Sequence, residues 1–350
     1  MKLLTKNKSR RIVSPVVAAT VLALIPSSLS LVPAPFLLVR SSRPVASAPD
    51  RPLRRTRGGP SDLHMSSVLP PLTSATTSAT PGLGPLAAAS LLPSLLGLWR
   101  TGYAVSYGYG GALAACGVLQ LFSLRGPSAS ISPSLRRFHA ALYVLYGVRL
   151  CAFLLHRELT LPVEIHQMKR RDATLKERMG RLPVAVGCSL LYFCMTVAPM
   201  RALAATGASG PCISAALGVG AAGFLLAAVG DWYKARTKAR DGPDKLVTSG
   251  PYRYFRHPNY TGEMLLWTCV CVVAPLLGVF GGGATGSRRA AIPWILSSVL
   301  GWAGMVFQVL MGEATKGLER KQREKYGGTP QYEKWIMRSW SGPMLGSIDD

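Results

Sequence analysis

The chain has 350 residues, with 40 Lys and Arg against 16 Asp and Glu, a formal charge of +24 and only 16% charged residues in all. A positive mean hydropathy with so few charges excludes an ordinary soluble enzyme and describes a polytopic membrane protein. Nucleic acid is not the reason for the positive charge, because the basic residues fall between apolar stretches instead of forming one soluble block with interleaved aromatics.

Residues 1–82 differ in kind from the rest of the chain. They open on Lys2, Lys6, Lys8, Arg10 and Arg11, continue through an apolar stretch from Val16 to Val32, and then run in Ser, Pro and Arg with almost no acids. Such composition marks a targeting extension, disordered in its own right. Its first part has the anatomy of a secretory signal, and Arg40 to Ser67 the Arg/Ser-rich character of a transit peptide. The combination resembles the bipartite plastid presequences of algae with secondary plastids, with Phe36 in the place of the Phe that comes after signal cleavage. No Ala-x-Ala/Phe junction is present, so a simple membrane anchor with a linker behind it, in the endoplasmic reticulum, stands as the alternative. The Pro/Ser/Thr-rich stretch 66–82 is a flexible join under either reading.

From residue 83 to 350 the expectation is an all-α membrane bundle of about six or seven spans. Apolar stretches lie near 84–99, 104–124, 138–156, 183–200, 211–230, 262–281 and 291–311. The weakest is 104–124, where Tyr107, Gly108, Tyr109, Gly110 and Gly111 interrupt it and leave a buried or re-entrant helix as the alternative. The Lys- and Arg-rich segments 157–182, 232–258 and 312–350 fall on one side by span count, which is the positive-inside pattern. Seven cysteines sit in or beside apolar stretches with no Cys-x-x-Cys pair and no histidine at ligand spacing, so burial is expected rather than metal or a disulfide framework. Gly281-Gly282-Gly283 with Gly286 predicts a turn, not a phosphate cradle.

Three polar clusters share that basic side: Arg157 to Arg181; Asp231 through Lys238 and on to Glu263; and Glu319-Arg320-Lys321 with Tyr326 and Tyr332 to Trp335. Asp231, Lys234 and Lys238 are spaced by three and four, so a helix puts them on one face. Asp231 closes an apolar stretch and needs a cation or a ligand hydroxyl, either Lys234 or a nucleotide ribose or adenine. In the run from Ser249 to Glu263, Pro258 suits the first turn of a helix, and Asn259 onward then present free backbone donors beside Arg256 and His257. That is an anion-binding mouth. Glu263, one turn into the next span and on the same side as Asn259, is an intramembrane acid with Arg256 or Lys234 as its expected partner. Gly262 leaves room for a ligand or a neighbouring helix. His257 has no carboxylate near it in sequence and reads as a rigid hydrogen-bonding element. Tyr252, Tyr254 and Tyr260 read as interfacial belt residues or as rings on which a ligand stacks.

At these residues the sequence resembles the steroid 5α-reductase superfamily, in particular its poorly characterised integral membrane branch of the domain-of-unknown-function 1295 type. The resemblance runs over Asp231-x-x-Lys234, Ser249-Gly250, Tyr254, Arg256-His257-Pro258-Asn259-Tyr260-x-Gly262-Glu263, Trp267, Leu318-Glu319 and Tyr332, and covers about residues 140–345. It implies a membrane oxidoreductase in which C-terminal helices enclose NADPH and a hydride passes to a carbon–carbon double bond conjugated with a carbonyl. Asp231, Lys234, Lys238, Arg256, His257, Asn259, Tyr260 and Glu263 then line the cofactor pocket, and the substrate is a lipophilic, steroid- or isoprenoid-like molecule reached through the lipid. No Gly-x-Gly-x-x-Gly comes after a strand, so a nucleotide binds among helices. The shorter Arg-His-Pro-x-Tyr-x-Gly run is shared with membrane methyltransferases using S-adenosylmethionine, the first alternative. A non-catalytic membrane scaffold or lipid-binding protein is the second. The Tyr and Glu that polarise the substrate carbonyl in steroid reductases have no aligned position; Glu158 and Glu164 are candidates by location only. The tail also departs from the family, with Trp335 after Tyr332 and Pro343 arriving late.

Overall fold

The structure, a computed structural model, describes residues 81–123, 133–160, 173–206, 210–280 and 287–341. Residues 1–80, with nearly all of the expected targeting extension, the stretch 281–286 where a glycine turn is expected, Glu164 and Pro343 lie outside the described residues. Every regular element among the described residues is helical. Helix α1 is Leu83–Trp99, α2 Thr101–Ser123, α3 Ser134–Leu159, α4 Leu175–Thr206, α5 Pro211–Asp241, α6 Pro258–Phe280 and α7 Arg288–Tyr326. A short α8, Pro330–Ile336, comes last. Chains crossing hydrocarbon must satisfy their backbone groups internally, and uninterrupted apolar runs do so as helices.

Six of these helices, α2 to α7, are long and apolar enough to cross a membrane. The stretch expected as a first span, α1, is about 25 Å long and falls short of the ~30 Å hydrocarbon core. Pro93 lies inside it, and the Ser90 and Ser94 hydroxyls turn back onto the carbonyls of Leu86 and Ser90 at 3.1 and 2.9 Å. It packs against α2 and α4. Stretch 104–124, by contrast, is a full-length helix, and its glycines explain why. Added methyl groups at Gly108 and Gly111 would stand 3.0 and 2.8 Å from Ser94 and Pro93 of α1, and one at Gly110 would stand 2.7 Å from Cys151 of α3. Small residues let backbones approach on both sides of α2.

Several helices outrun their apolar stretches. α5 continues from Asp231 to Asp241 with no breaker until Gly242, whose φ of 99° ends it ahead of Pro243. α7 likewise extends through the charged run Lys316–Tyr326. Widened π turns occur at Cys269–Val273 of α6 and Gly304–Thr315 of α7. In the first, the Ser298 hydroxyl of α7 donates to the Cys271 carbonyl at 2.6 Å. The Trp267 side chain sits at the centre of the core, stacked on Tyr143 at 5.7 Å and edge-on to Tyr146 at 5.0 Å.

Contacts gather the described parts of the three basic segments at one end of the bundle. Lys325 pairs with Asp244, and Phe255 bridges to Trp340. Arg181 donates to the carbonyls of Leu98 and Trp99 at 3.1 and 2.6 Å.

Candidate functional site

The run from Ser249 to Glu263 folds into a hub for the C-terminal tail. Arg256 donates from its backbone to the Trp340 carbonyl at 2.9 Å, and Trp340 returns a bond to the Tyr254 carbonyl at 2.8 Å. The Arg256 guanidinium reaches Glu319 Oε2 at 3.3 Å and the carbonyls of Ile336 and Ser339 at 3.3 and 3.4 Å. Glu319 Oε1 lies 2.8 Å from His257 Nε2, so the histidine does have a carboxylate partner, one too distant in sequence to be recognised there. The unusual Trp335 has a defined place, its indole N–H donating to the Tyr252 carbonyl at 2.6 Å. Tyr252 donates in turn to the Gly230 carbonyl of α5 at 3.3 Å, and burial pushes its phenol well above the ordinary tyrosine range. Tyr254 is exposed. Pro258 takes the first helical position as expected. Yet the first turn of α6 lies against α5, since a methyl on Gly230 would stand 3.0 Å from the Asn259 nitrogen. The helix end expected as an anion mouth is therefore close-packed, and Arg256 is held by the tail.

Deeper in the bundle, Asp231 takes neither Lys234 nor a backbone group as its ion-pair partner but Arg149 of α3, with Nη1 to Oδ2 at 2.6 Å. Arg149 lies inside the apolar stretch 138–156 and is not among the residues that the sequence pattern singles out. The signal for it is a cation in mid-span, which demands a carboxylate from another helix. The Asn259 amide lies beside Asp231. Arg149 also covers the Tyr146 ring at 5.4 Å, while its Nε and Nη2 are buried with no hydrogen-bond partner among the described residues.

Glu263 is buried at 7% exposure and pairs with neither Arg256 nor Lys234. Its carboxyl faces Tyr146 and lies within electrostatic reach of Tyr109, Tyr260 and the Arg149–Asp231 pair. Tyr109, Tyr146 and Trp267 pack against one another, and their hydroxyl and indole groups make no hydrogen bond of good geometry. The Thr261 hydroxyl on α6 is buried in the same state. Four helices, α2, α3, α5 and α6, thus surround a core chamber filled by these buried polar groups and aromatic rings. Gly262, as expected, makes room for a neighbouring helix: a methyl on Gly223 of α5 would stand 2.7 Å from its carbonyl oxygen.

Lys234 makes no ion pair among the described residues and lies near Asp231, Lys238 and Arg157. Arg157 also approaches Tyr260, so these cations and that ring share one corner above the chamber. Lys238 bonds instead to the Pro243 carbonyl at the end of α5. Glu158 accepts from Arg100 at 3.2 Å, Tyr103 at 2.6 Å and Tyr107 at 2.9 Å, which fastens α2 to the end of α3. The structure therefore brings Asp231, Asn259, Tyr260 and Glu263 together with Lys234 above them. It sets Arg256 and His257 apart with Glu319, and Lys238 further along α5.

Residues 108–338, which contain Arg149, Asp231, Lys234, Arg256, His257, Asn259, Glu263 and Glu319, match the family described as Protein of unknown function (DUF1295). No curated protein matches the chain, and no solved structure does.

Proposed function

This chain belongs to the DUF1295 family of membrane proteins, and on that premise we propose that it is an oxidoreductase of the steroid 5α-reductase kind, reducing a conjugated carbon–carbon double bond in a lipophilic substrate with NADPH. The observation that carries the reading is the set of buried donors around Glu263: the Tyr109 and Tyr146 hydroxyls, the Trp267 indole and the free edge of Arg149. A buried donor without an acceptor costs about 1–3 kcal/mol. Donors kept together at that cost suit a ligand bringing its own oxygens, and an enone carbonyl and a carboxamide are such acceptors.

NADPH supplies a hydride when bound. In this reading Lys234 and Arg157 meet its phosphates, and Asn259, Tyr260 and Glu263 orient it beneath them. The tyrosine hydroxyls stabilise the negative charge that builds on the substrate carbonyl oxygen, and the rings of Tyr143 and Trp267 keep water out. Arg256 and His257 act through the tail: with Glu319 they hold α6, α7 and α8 around the pocket. A methyltransferase using S-adenosylmethionine shares the Arg-His-Pro-x-Tyr run. Because Arg256 and His257 serve the tail, that run weighs for neither chemistry.

Calorimetry on the protein in detergent tests the reading. Saturable NADPH binding, weakened by about 1–3 kcal/mol in Lys234→Gln, is expected. Binding of S-adenosylmethionine with none of NADPH moves the assignment to the methyltransferase, and binding of neither favours the scaffold. The leader composition extends the proposal to a plastid membrane. Residues 1–82 fused to a fluorescent protein should enter the plastid of a suitable alga, and uniform retention in the endoplasmic reticulum would overturn that part.

A further inference from the structure

The docked tail leaves an apolar patch exposed at the height where the hydrocarbon ends. Tyr254 is 63% exposed, Met337 82% and Trp340 51%. Backbone bonds hold them together: Trp340 pairs with Tyr254, and Met337 lies between Ile336 and Ser339, whose carbonyls both accept from the Arg256 guanidinium. The height is set by a chain of contacts. Trp335 donates to the Tyr252 carbonyl and Tyr252 to the Gly230 carbonyl, and Gly230 closes the apolar stretch 211–230 of α5. Two residues further, Trp232 is exposed with the Arg236 guanidinium 5.3 Å from its ring. Trp99, exposed at the end of the apolar stretch 84–99, has Arg178 at 5.7 Å, and Tyr254 has Arg253 over its ring at 5.8 Å. Exposed Trp and Tyr rings at the ends of apolar stretches mark the headgroup level of a membrane protein.

We propose that this patch seats in the headgroup layer of an anionic leaflet, with Tyr254, Met337 and Trp340 entering the layer and Arg253, Lys334 and Arg338 meeting acidic headgroups. All three cations are exposed, and none pairs with an acid among the described residues. Glu333, beside Lys334 in the sequence, accepts from the Gly328 N–H at 3.0 Å instead. A guanidinium lying over a ring keeps the N–H groups along its edge, and these are free to fork onto a phosphate. Cations and apolar surface in one patch suit a layer that offers both acidic groups and hydrocarbon. A soluble anion gains nothing from the rings, and a neutral leaflet little from the cations. Lipid already surrounds the bundle at that height, so headgroups and not a protein are the occupant we assign. The patch belongs to the tail segment that Arg256 ties to α6, so anionic lipid steadies the hub. The inference needs only the hub's geometry and stands whatever reaction the chamber performs.

Hydrogen–deuterium exchange of the full chain in lipid nanodiscs tests the assignment, comparing phosphatidylcholine alone with phosphatidylcholine plus phosphatidylglycerol of identical acyl chains. The amides of Met337, Arg338, Ser339 and Trp340 are all hydrogen-bonded, that of Trp340 to the Tyr254 carbonyl, so their exchange reports opening of the tail. It should slow by about tenfold in the anionic discs, and the triple variant R253Q/K334Q/R338Q should return it towards the rate in phosphatidylcholine. M337S, which removes apolar surface and no charge, should also reduce the slowing. Equal rates for wild type in the two lipids would overturn the proposal, as would slowing that either variant keeps in full. Should the variants fail to fold, wild type alone decides: high salt should abolish the slowing, and slowing that persists in salt overturns the proposal. If glycerol phosphate slows exchange equally in the neutral discs, a soluble anion is the ligand and the lipid assignment is wrong.

Discussion

Buried phenols without acceptors separate a group kept for a ligand from one kept for the fold. If Tyr109 only packed the core, its hydroxyl would add desolvation cost and little else, whereas the Tyr146 hydroxyl also faces the Glu263 carboxyl. Tyr109→Phe should therefore melt at the same temperature as wild type or higher, by up to about 1 kcal/mol, whereas Tyr146→Phe takes a donor from beside Glu263 and gains less or nothing. On the proposed function, NADPH consumption with an enone lipid should nevertheless fall by about 10²-fold in each variant, the usual effect of losing a donor at a developing oxyanion. A fall in melting temperature with unchanged turnover would make the hydroxyls structural. At this scale the sequence is partly legible. Glu263 and Asp231 announce themselves as acids in apolar surroundings, and both are at the chamber. Their partners are not Lys234 and Arg256, the cations the sequence offers, because neighbours in sequence are visible there and neighbours across helices are not. Arg149 is hidden by lying mid-span, and Tyr109 by lying in a run that looks like an interruption. The positions His139, Tyr143 and Tyr146, one helical face of α3, keep a spacing that the sequence does display.

Helix contacts in this bundle depend on missing side chains, and α5 against α6 is a tight example. Gly223 and Gly262 meet backbone to backbone, and a methyl on Gly262 would overlap the Gly223 carbonyl and the Ala227 nitrogen. Gly262→Ala should destabilise by about 1–3 kcal/mol, because neither backbone can yield without moving a whole helix. Gly218→Ala on the exposed face of α5, where nothing lies within 4 Å, should be neutral or stabilising by about 0.5–1 kcal/mol. Thermal melting of the two variants in one detergent checks the contrast, and equal effects would mean that helix propensity rather than close packing governs. The number and class of the elements can be read from the apolar stretches alone, since length and hydropathy are what the bilayer selects. Their ends cannot. Apolar stretches stop at the hydrocarbon boundary, whereas helices stop at Gly242 or run on through Lys316, so α5 and α7 carry their charged turns out as helix.

The molecule as a whole is polarised along the bundle axis. Of the acids on the described membrane helices and their connections, Glu158, Glu177, Asp231, Asp241, Asp244, Glu319, Glu324 and Glu333 belong to the end where the tail docks, whereas the charged residues described at the opposite end, Arg136, Arg137, Arg201, Arg288 and Arg289, are all arginines. Six spans place the segments before α2, after α3, after α5 and after α7 on one side. Lys245 and Gln331 are exposed at the docking end, and Ser287 and Cys212 are exposed at the other. Cys212 must first become Ser so that labelling reports only the introduced thiol. In sealed vesicles, an impermeant maleimide should then treat Lys245→Cys and Gln331→Cys alike and Ser287→Cys oppositely. Opposite labelling of 245 and 331 would separate α5 from the tail by a membrane. That outcome is incompatible with the Lys325–Asp244 pair and the Tyr252–Trp335 bond, and it would dismantle the hub on which the chamber rests. Matching labelling at 245 and 331 with the reverse at 287 fixes the side from which the proposed nucleotide would reach Lys234, because Asp231 and Lys234 lie on α5, which runs towards Lys245.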